Sequence, residues 1–201
     1  LEVGKKLLVN SVYRIEADHV LVTDADMQSA LAGFDFRNTR WGMVKSAVKV
    51  TEFGQPVQDK DDLLAYADVV GGDMDVLVAY IFSQGKLVRG KYLFYTEHTN
   101  KNDYMSYYNK YKEIMNLKYG SPKSDEEIWH DNLYKGKPEK LGLALSLGQL
   151  AYKCKWENET TEIILTLHEN KNKIVFGVIY SSKKAGALKE LSEEEGKNHS
   201  G

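Results

Sequence analysis

Cysteine is nearly absent from this sequence of 201 residues, which contains a single one, Cys154. One cysteine cannot form a disulfide within the chain. A chain of this length buries roughly 70% of the surface that its unfolded form exposes, so it can fold on a hydrophobic core alone. Proline is also scarce, with three residues, and no low-complexity linker divides the chain. We therefore expect one continuous body rather than mobile domains.

Long apolar runs and a strong charge of either sign are lacking too. No apolar run approaches the ~20 residues of a membrane-spanning helix, so we predict no transmembrane segment. The net charge of −2 gives no general attraction to nucleic acid or to an anionic membrane. Because the chain begins with Leu1 rather than Met, we expect that residues were removed from its precursor. The missing signal peptide is therefore no argument against export.

Two stretches of the sequence echo each other. Each is a helix-like run that ends at an aromatic residue followed by Gly-x-Pro, and the two runs are 41–48, ending at Phe53-Gly54-Gln55-Pro56, and 104–118, ending at Tyr119-Gly120-Ser121-Pro122. Apolar residues recur at the spacing of a buried helix face, as in Tyr104, Tyr108, Tyr111 and Met115. Glycine favours the left-handed position past a helix end, and proline prevents further helix.

Strand-like segments follow both runs. In the first set, Val76, Val78, Tyr80 and Phe82 alternate with Leu77, Ala79 and Ile81. Both faces of this strand are apolar, so we expect it to lie centrally in the sheet and to be covered on both sides. Short turns between neighbouring strands indicate an antiparallel meander.

The predicted fold is α+β, with two tandem helix-then-antiparallel-strand units forming one body and the helices packed on an antiparallel sheet. The predicted segments are an N-terminal extension (1–34), a first unit (35–98), a second unit (99–182) and a flexible C-terminal tail (183–201). Within the extension, residues 12–15 and 19–22 are predicted to pair as a hairpin.

Residues that usually carry catalysis are not grouped in recognisable motifs. Strand alternation places Cys154 beside Tyr152 and Trp156 on an apolar face, which predicts a buried, inert thiol. The five histidines form no H-x-x-x-H or H-x-H pair, and no phosphate-binding or nucleophile motif occurs. We predict no cofactor, no metal site and no catalytic residue. An enzyme is the less favoured interpretation, because its acid and base would have to assemble from Glu127, His130 or His168.

Aromatic residues are plentiful, with 13 Tyr, 6 Phe and 3 Trp. Alternation assigns most of them to the core, but one strand face is composed of Leu87, Arg89, Lys91, Leu93 and Tyr95. Tyrosine and arginine are enriched at protein interfaces. We predict that this face docks another protein.

A family resemblance points in the same direction. Gly42-Met43-x-Lys45-x-x-Val48, then Gly54-x-Pro56 and a strand with Tyr66, resemble the G-M-T-K-x-x-V…L-G-x-P…Y signature of the BamE (SmpA/OmlA) envelope lipoproteins. The tandem layout is similar to that of the β-lactamase inhibitor proteins. The resemblance implies a non-enzymatic, protein-binding scaffold of the bacterial cell envelope or periplasm. It is also compatible with a lipid anchor on the precursor.

Two alternatives stay open beside this interpretation. One is a small-ligand-binding protein with an aromatic pocket between the two units. The other is a hydrolase-type enzyme with a dispersed acid/base site. None of the residues that match the family signature has a functional role to transfer, because they are helix and turn residues.

Overall fold

The structure is a computed structural model and describes residues 33–70 and 74–185. The strands in these ranges are β1 (Gln58–Lys60), β2 (Leu63–Val70), β3 (Met74–Ser83), β4 (Lys86–Phe94), β5 (Ser124–Trp129), β6 (Leu150–Glu157), β7 (Thr161–Asn170) and β8 (Lys173–Ser182). The helices are α1 (Lys45–Lys49), α2 (Asp103–Tyr119), a short 3-10 helix (Pro138–Lys140) and α3 (Leu141–Ser146). The predicted hairpin at 12–15 and 19–22 and most of the predicted tail lie outside the described residues.

All eight strands form one sheet in the order β1-β2-β3-β4-β8-β7-β6-β5. Every neighbouring pair is antiparallel. The predicted α+β fold of two helix-then-strand units is therefore wrong: the described residues form a single antiparallel sheet with few helices, most of them short. Among the described helices only α2, with 17 residues, is longer than six residues.

The first helix-like run explains why the prediction failed. Helix α1 has five residues and ends at the C-cap Val50, so Gly54 lies beyond it in a turn, with φ of +81°. Gly120, in contrast, caps α2, and its N–H donates to the carbonyl of Asn116. The stretch 44–51 contains the β-branched residues Val44, Val48, Val50 and Thr51, which lose side-chain freedom in a helix and have lower helix propensity. The two Gly-x-Pro stops are thus structurally different.

The strand pairing that joins the sheet is between β4 and β8. Their register runs from Arg89 opposite Ser181 to Phe94 opposite Phe176. This pairing connects the strands that precede residue 95 with those that follow residue 123. The predicted boundary between residues 98 and 99 falls in the link between β4 and α2, and as a domain division it stays a prediction.

One face of the sheet, here called the inner face, carries the core. Helix α2 packs on it through the four residues predicted from their spacing, Tyr104, Tyr108, Tyr111 and Met115, all of which are buried. The ring centroid of Tyr111 lies 4.6 Å from that of Phe94 and 5.6 Å from that of Phe176. Val48 of α1 and Leu145 of α3 belong to the same core. Helices α1, α2 and α3 therefore each contribute buried apolar residues to this core.

Strand and helix patterns in the sequence predict that Trp41, Tyr80, Cys154 and Phe176 are mostly buried. Tyr80, Cys154 and Phe176 are fully buried, which confirms the alternation on β3, β6 and β8. Trp41 is half-buried, and its indole N–H donates to Thr161 Oγ1 at 2.9 Å. Trp41 therefore lies at the edge of the core rather than inside it.

Candidate functional site

A β-bulge changes the composition of the predicted docking strand. In the pairing of β3 with β4, Ile81 lies opposite Arg89 but Phe82 lies opposite Leu87, so Val88 is an extra residue. An extra residue reverses the alternation of the strand on one side of it. Leu87 consequently points to the inner face and is fully buried. The prediction that Leu87 belongs to the docking face is wrong for this reason.

The bulge is held in place by the segment before α1. Leu87 donates its backbone N–H to the carbonyl of Met43, and Gly42 donates to the carbonyl of Leu87, both at 2.8 Å. Val44 also forms a bridge with Lys86. The first residues of β4 are thus paired on both edges, which fixes the orientation of the residues that follow.

The other four predicted residues face away from the core or lie at its margin. Arg89, Lys91 and Leu93 alternate on the opposite side of the sheet, here called the outer face, where they lie opposite Ile81, Ala79 and Leu77 of β3. Tyr95 follows the end of β4 and is 53% exposed. Its backbone N–H donates to the carbonyl of Asp75 at 3.1 Å.

The outer face has an apolar centre that extends over four strands. Strand registers place Leu77 and Ala79 of β3, Leu93 of β4, Gly177 and Ile179 of β8 and Ile164 of β7 side by side. We call these six residues the outer patch. Leu77, Leu93, Ile164 and Ile179 are half-buried. None of the helices in the described ranges packs over them.

Cations stand in and beside the outer patch. Lys91 lies between Ala79 and Ile179 in the same cross-strand row, and Arg89 Nε donates to Ser181 Oγ at 3.0 Å. Burial lowers the pKa of Lys91, and the positive charge of Arg89 lowers it further. Within the described part of the chain, neither residue forms an ion pair. Lys155 differs, because its ion pair with Glu162 raises its pKa.

A buried ionic cluster on the inner face was missed by sequence reasoning. Arg37 Nε donates to Glu52 at 2.8 Å and Nη1 to Asp68 at 3.1 Å. The hydroxyl of Tyr80 also donates to Glu52, and burial, followed by the charge of Glu52, raises the pKa of Tyr80 well above its ordinary value. The partners are far apart in sequence, so no local motif signals them. Through Arg37 and Asp68, the cluster links the segment that contains Phe36 with strand β2.

The dispersed acid/base site of the hydrolase alternative is not assembled. Glu127 lies on the inner face, opposite Tyr152, whereas His168 lies on the outer face, opposite Val175 and 3.0 Å from Thr166 Oγ1 through its Nδ1. His130 is exposed beyond the end of β5. The three candidate residues therefore do not converge.

The thiol of Cys154 lies in the core. It is fully buried, and burial, with a contribution from Asp125, raises its pKa to about 11. A thiol with a raised pKa carries little thiolate at neutral pH, and the thiolate is the reactive form. The prediction of a buried thiol is confirmed, and the raised pKa agrees with low reactivity.

A cavity of about 300 Å³ opens beside α2. It is lined by Met105, Tyr108, Asn109, Lys112, Asp125, Glu127, Leu141 and Tyr152. All of these residues belong to the segment 99–182. The aromatic pocket of the small-ligand-binding alternative was expected between the two predicted units, and this cavity lies elsewhere.

Two further features of the described residues concern metal sites and membrane-spanning helices. In residues 33–70 and 74–185, no group of three His, Cys, Asp or Glu side chains is arranged to hold a metal ion. Among the described helices, none has the length and apolar character needed to cross a membrane.

Comparison with known proteins leaves the family open. Scans of protein-family models, of curated proteins and of solved structures found nothing that matches this chain. The resemblance to the envelope lipoproteins therefore stays a prediction from the sequence.

Proposed function

We propose that this chain is a non-enzymatic protein-binding module whose docking surface is the outer patch together with Arg89, Lys91 and Tyr95. The observation that carries the proposal is the apolar centre of the outer face, which no described helix covers. Apolar side chains that a sheet face leaves only half-buried can form part of an interaction site. A position in the bacterial cell envelope rests on the sequence resemblance alone.

The chemistry of the face indicates what its partner presents. Leu77, Leu93, Ile164 and Ile179 offer an apolar centre for aliphatic or aromatic side chains. Arg89 and Lys91 have no ion-pair partner among the described residues, and Lys91 is already partly desolvated. A carboxylate delivered to Lys91 would compensate its charge in a site of reduced polarity, where such a pair is stronger than in water. We therefore infer a protein partner with apolar residues flanked by Asp or Glu.

The rigidity of the face supports the same proposal. Its residues project from four hydrogen-bonded strands, so a partner would not have to order a loop in order to bind. Less conformational entropy is then lost on association. The buried cluster of Arg37, Glu52 and Tyr80 lies on the opposite face and is not available to a partner.

Site-specific photo-crosslinking tests this function. A benzophenone amino acid replaces Leu93 in the centre of the face and, as a matched control, Leu117, which is 85% exposed on α2. The proteins are irradiated in cells of the natural source, and crosslinked peptides are sequenced by mass spectrometry. We expect position 93, and not position 117, to capture a protein segment that contains Asp or Glu beside apolar residues.

A pair of charge-reversed proteins makes the test specific. Arg89→Glu with Lys91→Glu should reduce the crosslinking yield at position 93 roughly tenfold, because like charges then oppose each other. Lys118→Glu with Lys135→Glu alters two exposed lysines away from the outer face and should leave the yield unchanged. Equal yields at positions 93 and 117, a partner segment without carboxylates, or crosslinks only within the same chain would overturn the proposal.

A further inference from the structure

The cavity beside α2 is built from three converging elements. Met105, Tyr108, Asn109 and Lys112 follow the i, i+3, i+4, i+7 spacing that places residues on one helix face. Asp125 and Glu127 alternate on β5 and point to the inner face, and Leu141 begins α3. The volume of about 300 Å³ lies at the lower end of the range for small-molecule pockets.

One half of the cavity already holds a cation of the protein. The ammonium of Lys112 lies 2.9 Å from Asp125 Oδ2 and 5.9 Å from the centre of the Tyr108 ring. A carboxylate and an aromatic face thus bind the same positive charge from two sides. The face of an aromatic ring attracts cations through its quadrupole, and a carboxylate attracts them by charge.

The other half repeats this chemistry without a cation of its own. Tyr152 lies directly opposite Glu127 in the pairing of β6 with β5, and burial together with the charge of Glu127 raises the pKa of Tyr152 to about 12. Glu127 accepts a hydrogen bond from the indole of Trp129 at 2.5 Å. No lysine or arginine in the described ranges pairs with Glu127 or lies over the Tyr152 ring.

A buried hydroxyl in the wall adds an independent observation. The side chain of Tyr108 is 1% exposed, and its hydroxyl has no hydrogen-bond partner among the described residues. A buried polar group without a partner destabilises the folded state. The ring centres of Tyr108 and Tyr152 are 5.3 Å apart, so the two rings form one aromatic wall of the cavity.

From these contacts we propose that the cavity binds a small organic ammonium ion. The ammonium pairs with Glu127 over the face of Tyr152, and the hydroxyl of Tyr108 accepts one of its N–H groups. A short apolar or aryl group of the ligand packs against Met105 and Leu141. The lining has two carboxylates and one lysine, so its charge favours a cation over an anion. This site lies on the other side of the sheet from the outer patch and does not depend on the proposed docking function.

Calorimetric titration with benzylammonium is the direct test. Benzyl alcohol and benzoate serve as matched probes that keep the ring and change the charge to neutral or negative. We expect benzylammonium to bind with a 1:1 stoichiometry and both other probes to bind at least ~10-fold more weakly, since only the cation meets Glu127. Equal binding of benzyl alcohol would show an unselective apolar pocket, and no binding of benzylammonium would remove the proposal.

Two neighbouring glutamates provide a matched pair of variants. Glu127→Gln should weaken benzylammonium binding about 3- to 10-fold, because one carboxylate is lost from the cavity. Glu126→Gln makes the same change one residue earlier, on the outer face opposite Lys153, and should leave binding unchanged. Equal weakening by both variants would mean that only the overall charge matters, which contradicts a defined site.

Tyr108→Phe separates ligand binding from folding. The variant removes a hydroxyl without a described partner, so the free protein should be as stable as the wild type or more stable in thermal unfolding. Benzylammonium should nevertheless bind it about 3-fold more weakly, because an acceptor of the ammonium is lost. Unchanged affinity would contradict the role of Tyr108. Arg89→Glu with Lys91→Glu, which alters only the docking face, should keep the wild-type affinity, so the two proposals can fail separately.

Discussion

The two faces of the sheet are made by the same strands but are used differently. On the inner face, Tyr80, Phe176 and Val178 are buried under α2 and the segment around Phe36. On the outer face, Leu93 and Ile179 are only half-buried, and no described helix covers them. The comparison shows that apolar alternation on both sides of a strand identifies a central strand, but does not say that helices among the described residues cover both sides.

Strand β3 illustrates this point. We predicted that it lies centrally and is covered on both sides. It does lie between β2 and β4, but only the side of Val78 and Tyr80 packs on described helices and loops. Apolar residues on a face without such a cover are expected where another molecule binds. The docking proposal rests on this difference, and the predictions below test it.

The largest expected effect compares two residues of β8. Phe176→Ala should lower the free energy of unfolding by about 3–5 kcal/mol, because it removes a buried ring from the inner face and leaves a cavity. Ile179→Ala on the outer face should cost about 1 kcal/mol, since this side chain is only half-buried. Urea denaturation measures both. Similar costs would mean that the outer face is as well packed as the inner one.

Titration should also distinguish the two faces. Burial raises the pKa of Tyr92 to about 12, although the positive charge of Arg37 acts in the opposite direction. The unfolded chain loses this proton first, near pH 10, so the stabilisation is complete below about pH 10 and is lost as the pH rises to about 12. In Tyr92→Phe, the free energy of unfolding should therefore fall by about 2–3 kcal/mol less than in the wild type as the pH rises through this range. Urea unfolding at several pH values measures it, and parallel curves for the two proteins would contradict the assignment.

Lys91 on the outer face should show the opposite sign. Its pKa is lowered, so below its ordinary pKa the unfolded chain binds the proton more strongly than the folded one. Stability therefore rises with pH through this range, and Lys91→Met should flatten that rise. The same unfolding series provides the measurement, and an unchanged slope would show that Lys91 is fully hydrated.

The inner face should also resist an added methyl group. A Cβ on Gly90 would overlap the ring of Phe36, which is 2% exposed and packed between Tyr80 and Tyr92 at centroid distances of 5.3 and 5.1 Å. Gly90→Ala should cost about 1–3 kcal/mol, as overpacking does in cores. The double variant with Phe36→Leu should cost less than the sum of the two single changes. Simple additivity in thermal or urea unfolding would contradict this contact.

Local patterns predicted the features that depend on neighbours in sequence. Helical spacing gave the buried face of α2, and strand alternation gave the burial of Cys154 and Phe176. The pairing of β4 with β8 could not be predicted, because residues such as Leu93 and Gly177 are far apart in the chain and carry no local signal for each other. The predicted fold class was wrong for this reason, and because α1, with five residues, is too short to form a unit with the strands after it.

The docking face was predicted only in part, because a β-bulge interrupts the alternation of β4. Counting alternate residues places Leu87 with Arg89, and only the extra residue Val88 separates them. Nothing in the composition of 86–90 indicates a bulge. The ammonium cavity was not anticipated at all, since Tyr108, Glu127 and Tyr152 come from three different elements.

The smallest expected effect sharpens the comparison on β4 itself. Arg89→Ala and Tyr95→Ala should each weaken partner binding by about 1–2 kcal/mol, because Arg and Tyr anchors contribute strongly to interfaces. Their thermal unfolding should be nearly unchanged, since Arg89 and Tyr95 are exposed. A partner recovered by crosslinking at position 93 provides the binding assay, with circular dichroism as the control for folding.

Leu87→Ala is the matched variant, because the bulge places Leu87 on the inner face and Arg89 on the outer face. It should cost about 2–5 kcal/mol of stability, as the loss of a fully buried leucine does, and should not alter partner affinity at temperatures where the protein stays folded. If Arg89→Ala destabilised the fold and Leu87→Ala weakened binding, the two faces would be assigned the wrong way round. If neither Arg89→Ala nor Tyr95→Ala changed binding, the partner would contact the apolar centre without the cations, and the inferred carboxylates would be unnecessary.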